Sequence, residues 1–170
     1  MQRLILLRHG KADSASGGGG DFARGLTARG VRESALIGRV LAEAGLEPDL
    51  ALVSTAARAM QTWEAARAAF PNARMAPARE LYHASPEVLA DTVARLDGAP
   101  ASVMIVGHNP GLHEYALALG GAKGARELAV GFPTAAAAVF DALPASGFQL
   151  ARFLTPREYE GLGASGRRSD

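Results

Sequence analysis

The sequence predicts an α/β protein, a three-layer α/β/α sandwich around a mostly parallel, mixed central sheet, and three observations carry that expectation. Leu4-Ile5-Leu6-Leu7, Ala51-Leu52-Val53 and Val103-Met104-Ile105-Val106 are short unbroken apolar runs, the pattern of strands covered by helices on both faces. Helical periodicity fills the stretches between them, and strands alternating with helices build right-handed βαβ units. Residues 135–140 and 148–153 are extended candidates joined by Leu143-Pro144-Ala145-Ser146-Gly147, a turn-rich link that favours an antiparallel pair at one side of the sheet.

Each helix has its own signals. Over residues 27–44, Val31, Ala35, Val40, Leu41 and Ala44 fall near one face, with Thr27 as N-cap and Gly45 as the stop. Ser54 or Thr55 caps a second helix that runs through Met60, Trp63 and Ala66 to about Phe70, where Pro71-Asn72 ends it. Ser85-Pro86-Glu87 reads as N-cap, N1 proline and an acid at the positive end of the helix dipole, opening a third helix through Val88, Leu89, Val93 and Leu96. A fourth starts after Asn109-Pro110-Gly111. Residues 1–155 form a single expected domain, without internal repeats or linkers, and residues 156–170 a short helix or turn followed by a flexible tail.

Composition excludes several function classes. A chain of 170 residues with 48% hydrophobic and 21% charged side chains can bury one sizeable core. The balance of 18 Lys+Arg against 17 Asp+Glu leaves no surplus positive charge for a polynucleotide backbone, so nucleic acid is not an expected partner. No cysteine is present, which removes disulfides, thiolate metal sites and cysteine nucleophiles. The apolar run at Leu4–Leu7 falls far short of the ~20 residues that span a bilayer. The expectation is a cytoplasmic protein with no membrane partner.

In open α/β sheets, ligands bind beyond the carboxyl ends of the strands, and two histidines fall there. The first apolar run leads into Arg8-His9-Gly10, and the run at Val103–Val106 into Gly107-His108-Asn109-Pro110-Gly111. Ser54-Thr55-Ala56-Ala57-Arg58 follows the Leu52-Val53 strand and sets Arg58 in the first turns of its helix. Arginines, histidines and helix N-termini converging on one edge make an anion site, since guanidinium forks bind phosphate oxygens bidentately. His108 and His113 do not form half of a zinc site, because no cysteine accompanies them and a five-residue offset does not share a helix face; His113 is expected on the surface of the fourth helix. Gly17-Gly18-Gly19-Gly20 lacks the Gly-Lys-Ser/Thr that a phosphate-cradling loop requires. It reads as a loop bordering the site.

These residues carry a resemblance. Leu7-Arg8-His9-Gly10-Lys11-Ala12 resembles the Arg-His-Gly motif of the histidine phosphatase superfamily, the phosphoglycerate-mutase-like fold. Arg24-Gly25-Leu26-Thr27-Ala28-Arg29-Gly30 resembles its Arg-x-Leu-Thr-x-x-Gly segment, with Gly25 where relatives often have proline, and Ser54-Thr55-Ala56-Ala57-Arg58-Ala59-Met60-Gln61-Thr62 resembles its Ser-x-x-x-Arg-Ala-x-Gln-Thr helix start. Gly107-His108-Asn109-Pro110 supplies the second histidine, and Phe132-Pro133-Thr134-Ala135 extends the match. The short chain and Glu80-Leu81-Tyr82-His83-Ala84-Ser85-Pro86 look most like the small SixA-type phosphohistidine phosphatases.

The resemblance implies His9 as a nucleophile that becomes phosphorylated, with Arg8, Arg58 and His108 holding the non-bridging oxygens and Arg24 as a further phosphate contact. It implies no metal and no cofactor. Glu80 and His83 stand either as an acid or substrate contact or as ordinary residues before the third helix. Two functions follow from the same site: removal of phosphate from phosphohistidine on a partner protein, or hydrolysis of small phosphomonoesters and sugar phosphates. An alkyl leaving group needs a general acid, whereas imidazole, with a reference pKa of about 6.5, depends on one less. The segments available for insertions are also too short for a helical cap. Both points favour the protein substrate; oligomeric state is not legible.

Overall fold

The computed structural model describes residues 1–14, 20–96, 100–144 and 147–160. The expected tail from 161 onward, and Gly17, Gly18 and Gly19, lie outside the described residues. Strands β1 (Arg3–Arg8), β2 (Leu50–Ser54), β3 (Arg74–Ala78), β4 (Ser102–Gly107), β5 (Ala137–Ala142) and β6 (Phe148–Leu154) form one sheet in the order β3-β2-β4-β1-β5-β6. The first four are mutually parallel, and β5 runs antiparallel to both β1 and β6. This is the expected mixed sheet, with its antiparallel pair at one side.

Helices α1 (Ala28–Glu43), α2 (Ala57–Ala66), α3 (Pro86–Ala94), α4 (Gly111–Glu127) and α5 (Pro156–Tyr159) complete the layers. Alternation along β1 and β4 explains their unbroken apolar runs. Leu4, Leu6, Val103 and Ile105 pack with Leu89, Leu112, Tyr115 and Ala116 on the α3 and α4 side. Ile5, Leu7, Met104 and Val106 face Ile37, Leu41, Ala59 and Trp63 on the α1 and α2 side. All eight strand residues are fully buried. Burial of such a side chain contributes about 1.5–3 kcal/mol, so these two central strands belong to the most strongly held part of the molecule.

The structure corrects several details. The expected apolar face of α1 is displaced: Val31 is 44% exposed and Ala44 is exposed, while Gly30, Ser34, Ile37, Gly38 and Leu41 are buried. Small residues set that face because the chain passes very close to its neighbours. A Cβ at Gly38 would lie 2.8 Å from the Ala66 carbonyl oxygen, and one at Gly30 would run into the Lys11 backbone. Neither Ser54 nor Thr55 caps α2; Ala56 occupies the N-cap position without a side-chain cap, and α2 ends at Ala66 in a 3-10 turn over Arg67–Ala69. Strand β3 carries no sequence signal of its own, since it is a largely exposed edge strand containing Pro77, a residue that edge positions tolerate. Pro156 is buried and α5 packs on α1, so the chain remains part of the fold past residue 155.

Candidate active site

The sheet order brings the chemistry together. In the β1/β4 pair Arg8 is opposite Gly107, so the next residues, His9 and His108, emerge side by side with ring centroids 5.1 Å apart. Strand β2 flanks β4 on the other side, and from its end the chain turns into α2, placing Arg58 in the first turn. Between β1 and α1 the chain is tied down by the residues of the sequence motifs. Gly10 N–H donates to Thr62 Oγ1 at 2.9 Å, and Leu26 N–H to Gln61 Oε1 at 2.6 Å. Thr27 caps α1 by accepting from Gly30 N–H, and its own N–H donates to the Lys11 carbonyl. A Cβ at Gly10 would lie 2.7 Å from the Gly30 carbonyl oxygen, so only glycine fits.

His9 is pinned on all sides. Its backbone N–H donates to the Gly107 carbonyl, and its carbonyl accepts from Ala135 N–H, both at 3.1 Å. Its Nδ1 lies 2.8 Å from the Gly10 carbonyl oxygen, an acceptor only, which puts the ring proton on Nδ1 and leaves Nε2 unprotonated. Arg58 Nε–H points at the Nε2 lone pair from 3.3 Å. Burial, and then the charges of Arg58, Arg8 and Arg24, push the His9 pKa down to about 4. The ring is therefore neutral at neutral pH. Burial followed by the charges of His9 and Arg58 pushes His108 down to about 3, and its Nε2 lies 2.8 Å from Ser54 Oγ.

Around these rings lies a cavity of about 250 Å3 lined by Arg8, His9, Arg24, Arg58, His108 and Asn109, with Lys11, Ala12, Asp21, His83 and Thr134. Arg8 donates through Nη1 to the Phe132 carbonyl at 2.7 Å, and Asn109 Nδ2 to the same oxygen at 3.0 Å. Among the described residues, six buried side-chain polar atoms lack a partner, and three of them, Arg8 Nε, His108 Nδ1 and Asn109 Oδ1, belong to this lining. Buried polar groups are rarely left unpaired, so the clustering marks a place for a polar ligand. A larger groove of about 670 Å3 lies beside α5, lined among others by Arg29, Glu33, Phe153 and Arg157; it contains no histidine, and Arg29 is already paired with Glu33 at 2.6 Å. The histidines and arginines singled out by the sequence line the smaller cavity.

The rim is built from the Asp21–Ala23 turn and the segment Arg79–His83. Asp21 Oδ1 accepts from Arg24 Nη1 at 2.7 Å; Oδ2 accepts from Tyr82 OH at 2.8 Å and Arg58 Nη2 at 2.9 Å, with His83 Nε2 at 3.4 Å. The Tyr82 hydroxyl, Arg24 and Arg58 hold the Asp21 carboxyl far below the usual carboxylate range. Tyr82 stacks on His83 with centroids 4.3 Å apart and meets Phe22 edge-on at 5.0 Å. His83 adopts φ +50°, the left-handed region that a side chain enters only where its surroundings require it.

Three comparisons bear on this site. Residues 4–85 match the model of the histidine phosphatase superfamily (branch 1). The chain is 38% identical to a solved Agrobacterium tumefaciens protein designated phosphohistidine phosphatase SixA, with a TM-score of 0.83 over 91% of this chain and 98% of that one. It belongs to the histidine phosphatase superfamily. An uncharacterised protein of Mycobacterium tuberculosis is 33% identical over 78% of this chain and 85% of its own length. Under 25% identity the fold alone is shared, with the protein histidine phosphatase SixA complexed with tungstate (23%, TM-score 0.79, 92% of this chain and 98% of that one) and with mycobacterial glucosyl-3-phosphoglycerate phosphatase (18%, TM-score 0.62, 89% and 98%). Family membership makes the protein a phosphatase, a hydrolase of phosphate groups.

Of the residues the sequence singled out, the histidine phosphatase fold brings together Arg8, His9, Arg24, Arg58, His83 and His108. Glu80 does not join them. Its side chain is exposed and absent from the cavity lining, because the 3-10 turn over Arg79–Leu81 buries Leu81 instead. His113 is half-buried rather than on the surface, its Nε2 2.9 Å from the Leu128 carbonyl oxygen. The carboxylate that does reach the site, Asp21, carries no sequence signal beyond standing three residues before Arg24. Tyr82, Asn109 and Ser54 were visible only as members of motif segments. No helix among the described residues is long and apolar enough to cross a membrane.

Proposed function

We propose that this histidine phosphatase removes phosphate from phosphohistidine on a partner protein, through a covalent phosphohistidine at His9 and without a metal or organic cofactor. One observation carries the reading: a neutral imidazole whose unprotonated Nε2, accepting from Arg58 Nε–H at 3.3 Å, faces a cavity lined by arginines. The Nε2 lone pair attacks phosphorus, the His9–phosphorus bond forms, and the phosphorus–nitrogen bond of the substrate breaks. Its electron pair leaves with the substrate imidazole, which takes a proton from solvent. Water then attacks phosphorus, His9 is released neutral, and inorganic phosphate departs. Arg8, Arg24 and Arg58 offset the charge spread over the non-bridging oxygens of the loose transition state, the work a magnesium ion does elsewhere. With the Ser54 hydroxyl donating to Nε2, His108 Nδ1–H donates to one of those oxygens.

Two features support a phosphohistidine substrate. Neither nearby carboxylate suits a general acid, since Asp21 is held ionised by its donors and Glu80 is outside the cavity. Transfer from one imidazole to another is chemically balanced and asks least of an acid. The cavity also falls below the roughly 300–1,000 Å3 of ordinary ligand pockets, which suits gripping a phosphoryl group whose carrier remains outside. Hydrolysis of small phosphomonoesters is favoured by a different observation, His83 at the rim, an imidazole placed where a leaving oxygen could take a proton. A rate comparison decides. The phosphohistidine protein should show the higher kcat/KM against a panel of sugar and alkyl phosphates; a phosphomonoester turned over with higher kcat/KM, and slowed by His83→Gln, overturns the proposal.

A further inference from the structure

Two arginines reach the cavity from different elements, Arg24 from the turn after β1 and Arg58 from α2, and one carboxylate joins them. Asp21 accepts from Arg24 Nη1 on one oxygen and from Arg58 Nη2 on the other, while its backbone carbonyl accepts from Arg58 Nη1 at 2.7 Å. These contacts engage both terminal nitrogens of Arg58, and Nη2 also lies 3.2 Å from His83 Nε2. The remaining Nε–H is directed at His9 Nε2. Arg24 is held in the same manner, its Nε–H donating to the Asp13 carbonyl at 2.6 Å. Guanidinium groups that converge on one small cavity repel each other, and a carboxylate between them offsets that repulsion and fixes their spacing.

We propose that Asp21 is a positioning residue for phosphoryl transfer, a joint that holds Arg58 and Arg24 at one spacing in the cavity of His9, and is itself held by Tyr82. The inference rests on the phosphatase site described above and deepens it. A proton-donating role for Asp21 does not fit, because three donors, Tyr82 OH, Arg24 Nη1 and Arg58 Nη2, face its carboxylate. Competition with substrate has the opposite signature, tighter phosphate binding once the carboxylate is removed. Displacing a catalytic group by about 1 Å can cost about 10²-fold, so loss of the joint should be read in rate more than in folding.

The test combines oxyanion binding with a double-mutant cycle. Wild type should bind inorganic phosphate in calorimetry, and Asp21→Ala should bind it at least about tenfold more weakly and lower kcat on the best available substrate by about 10- to 100-fold. In an Arg58→Ala background the same change should cost under about threefold, since most of what Asp21 positions is already gone. A loss of equal size in both backgrounds, or tighter phosphate binding by Asp21→Ala, overturns the proposal. Should Asp21→Ala fail to fold, Tyr82→Phe removes one hydrogen bond to the same carboxylate, with an expected loss of about three- to tenfold in kcat; unchanged kcat there is equally fatal. A wild type that binds no phosphate and turns over no phosphorylated substrate fails the phosphatase reading instead.

Discussion

His9 and His108 stand at the ends of two strands whose inner residues are fully buried, whereas Asp21, Arg24 and His83 stand on short turns at the surface and are held by one another's charges and hydrogen bonds. The inner wall can rearrange only if the sheet core opens, and core elements open with the global free energy of unfolding. The rim depends on contacts of the half-exposed Asp21 carboxylate: its pair with Arg24 is reached by water and screened by salt, whereas its pair with Arg58 is made to a buried guanidinium. The cavity thus has an inner half fixed by the sheet core and an outer half fixed by side-chain contacts alone. The proposed nucleophile belongs to the first, and the proposed positioning of the phosphate by Asp21 and Arg24 belongs to the second.

The comparison is tested hardest at the nucleophile. His9→Ala should lower turnover by at least about 10⁴-fold, the scale of losing a nucleophile, and acid-labile phosphate should accumulate on wild type but not on the variant. Labelling of His9→Ala would move the nucleophile elsewhere. Arg58→Ala comes next, with an expected loss of about 10²–10³ in kcat, as for removal of an oxyanion donor; a near-normal rate would make Arg58 a structural ion-pair residue.

Acid should act on the inner wall. His9 and His108 have folded pKa values of about 4 and about 3, below the 6.5 expected of the unfolded chain. As pH falls from about 6.5 toward 4 the unfolded chain takes up protons that the folded chain refuses, so stability falls through that window by a few kcal/mol. Urea midpoints across that range check it. Over the same range kcat/KM should hold, and it should drop only as pH approaches about 4. Activity lost near pH 6.5 would mean that His9 titrates like a free imidazole.

The smallest effects are expected furthest out. Glu80→Gln should change kcat/KM by less than about twofold on any substrate, because the side chain lies in solvent away from the cavity. EDTA should leave activity intact. A strong effect of Glu80→Gln would make that carboxylate a participant, and loss of activity in EDTA would add a metal to the proposed mechanism.

Legibility divides along the same line. The unbroken runs at β1 and β4, the histidine after each, and Arg58 just beyond β2 are local patterns, and local patterns are what a sequence displays. Glycines 10 and 30 were visible as members of motif segments, while the reason for them, close approach to the backbone of a segment about 20 residues away, is tertiary. Asp21, Tyr82 and Ser54 owe their places to partners 37, 61 and 54 positions away in the chain. No periodicity encodes such distances, so the sequence offered Glu80 as the nearby acid where the structure offers Asp21.

From the sequence alone came the layered α/β architecture, the mixed sheet and the two strand-end histidines, because burial on both faces and strand-to-loop succession are properties of short segments. Only the tertiary structure decided the register that sets Arg8 opposite Gly107, the ring tautomer of His9 set by the Gly10 carbonyl, and the carboxylate linking Arg24 to Arg58. Each depends on which segments meet once the core has closed, and that is fixed by packing across the whole chain.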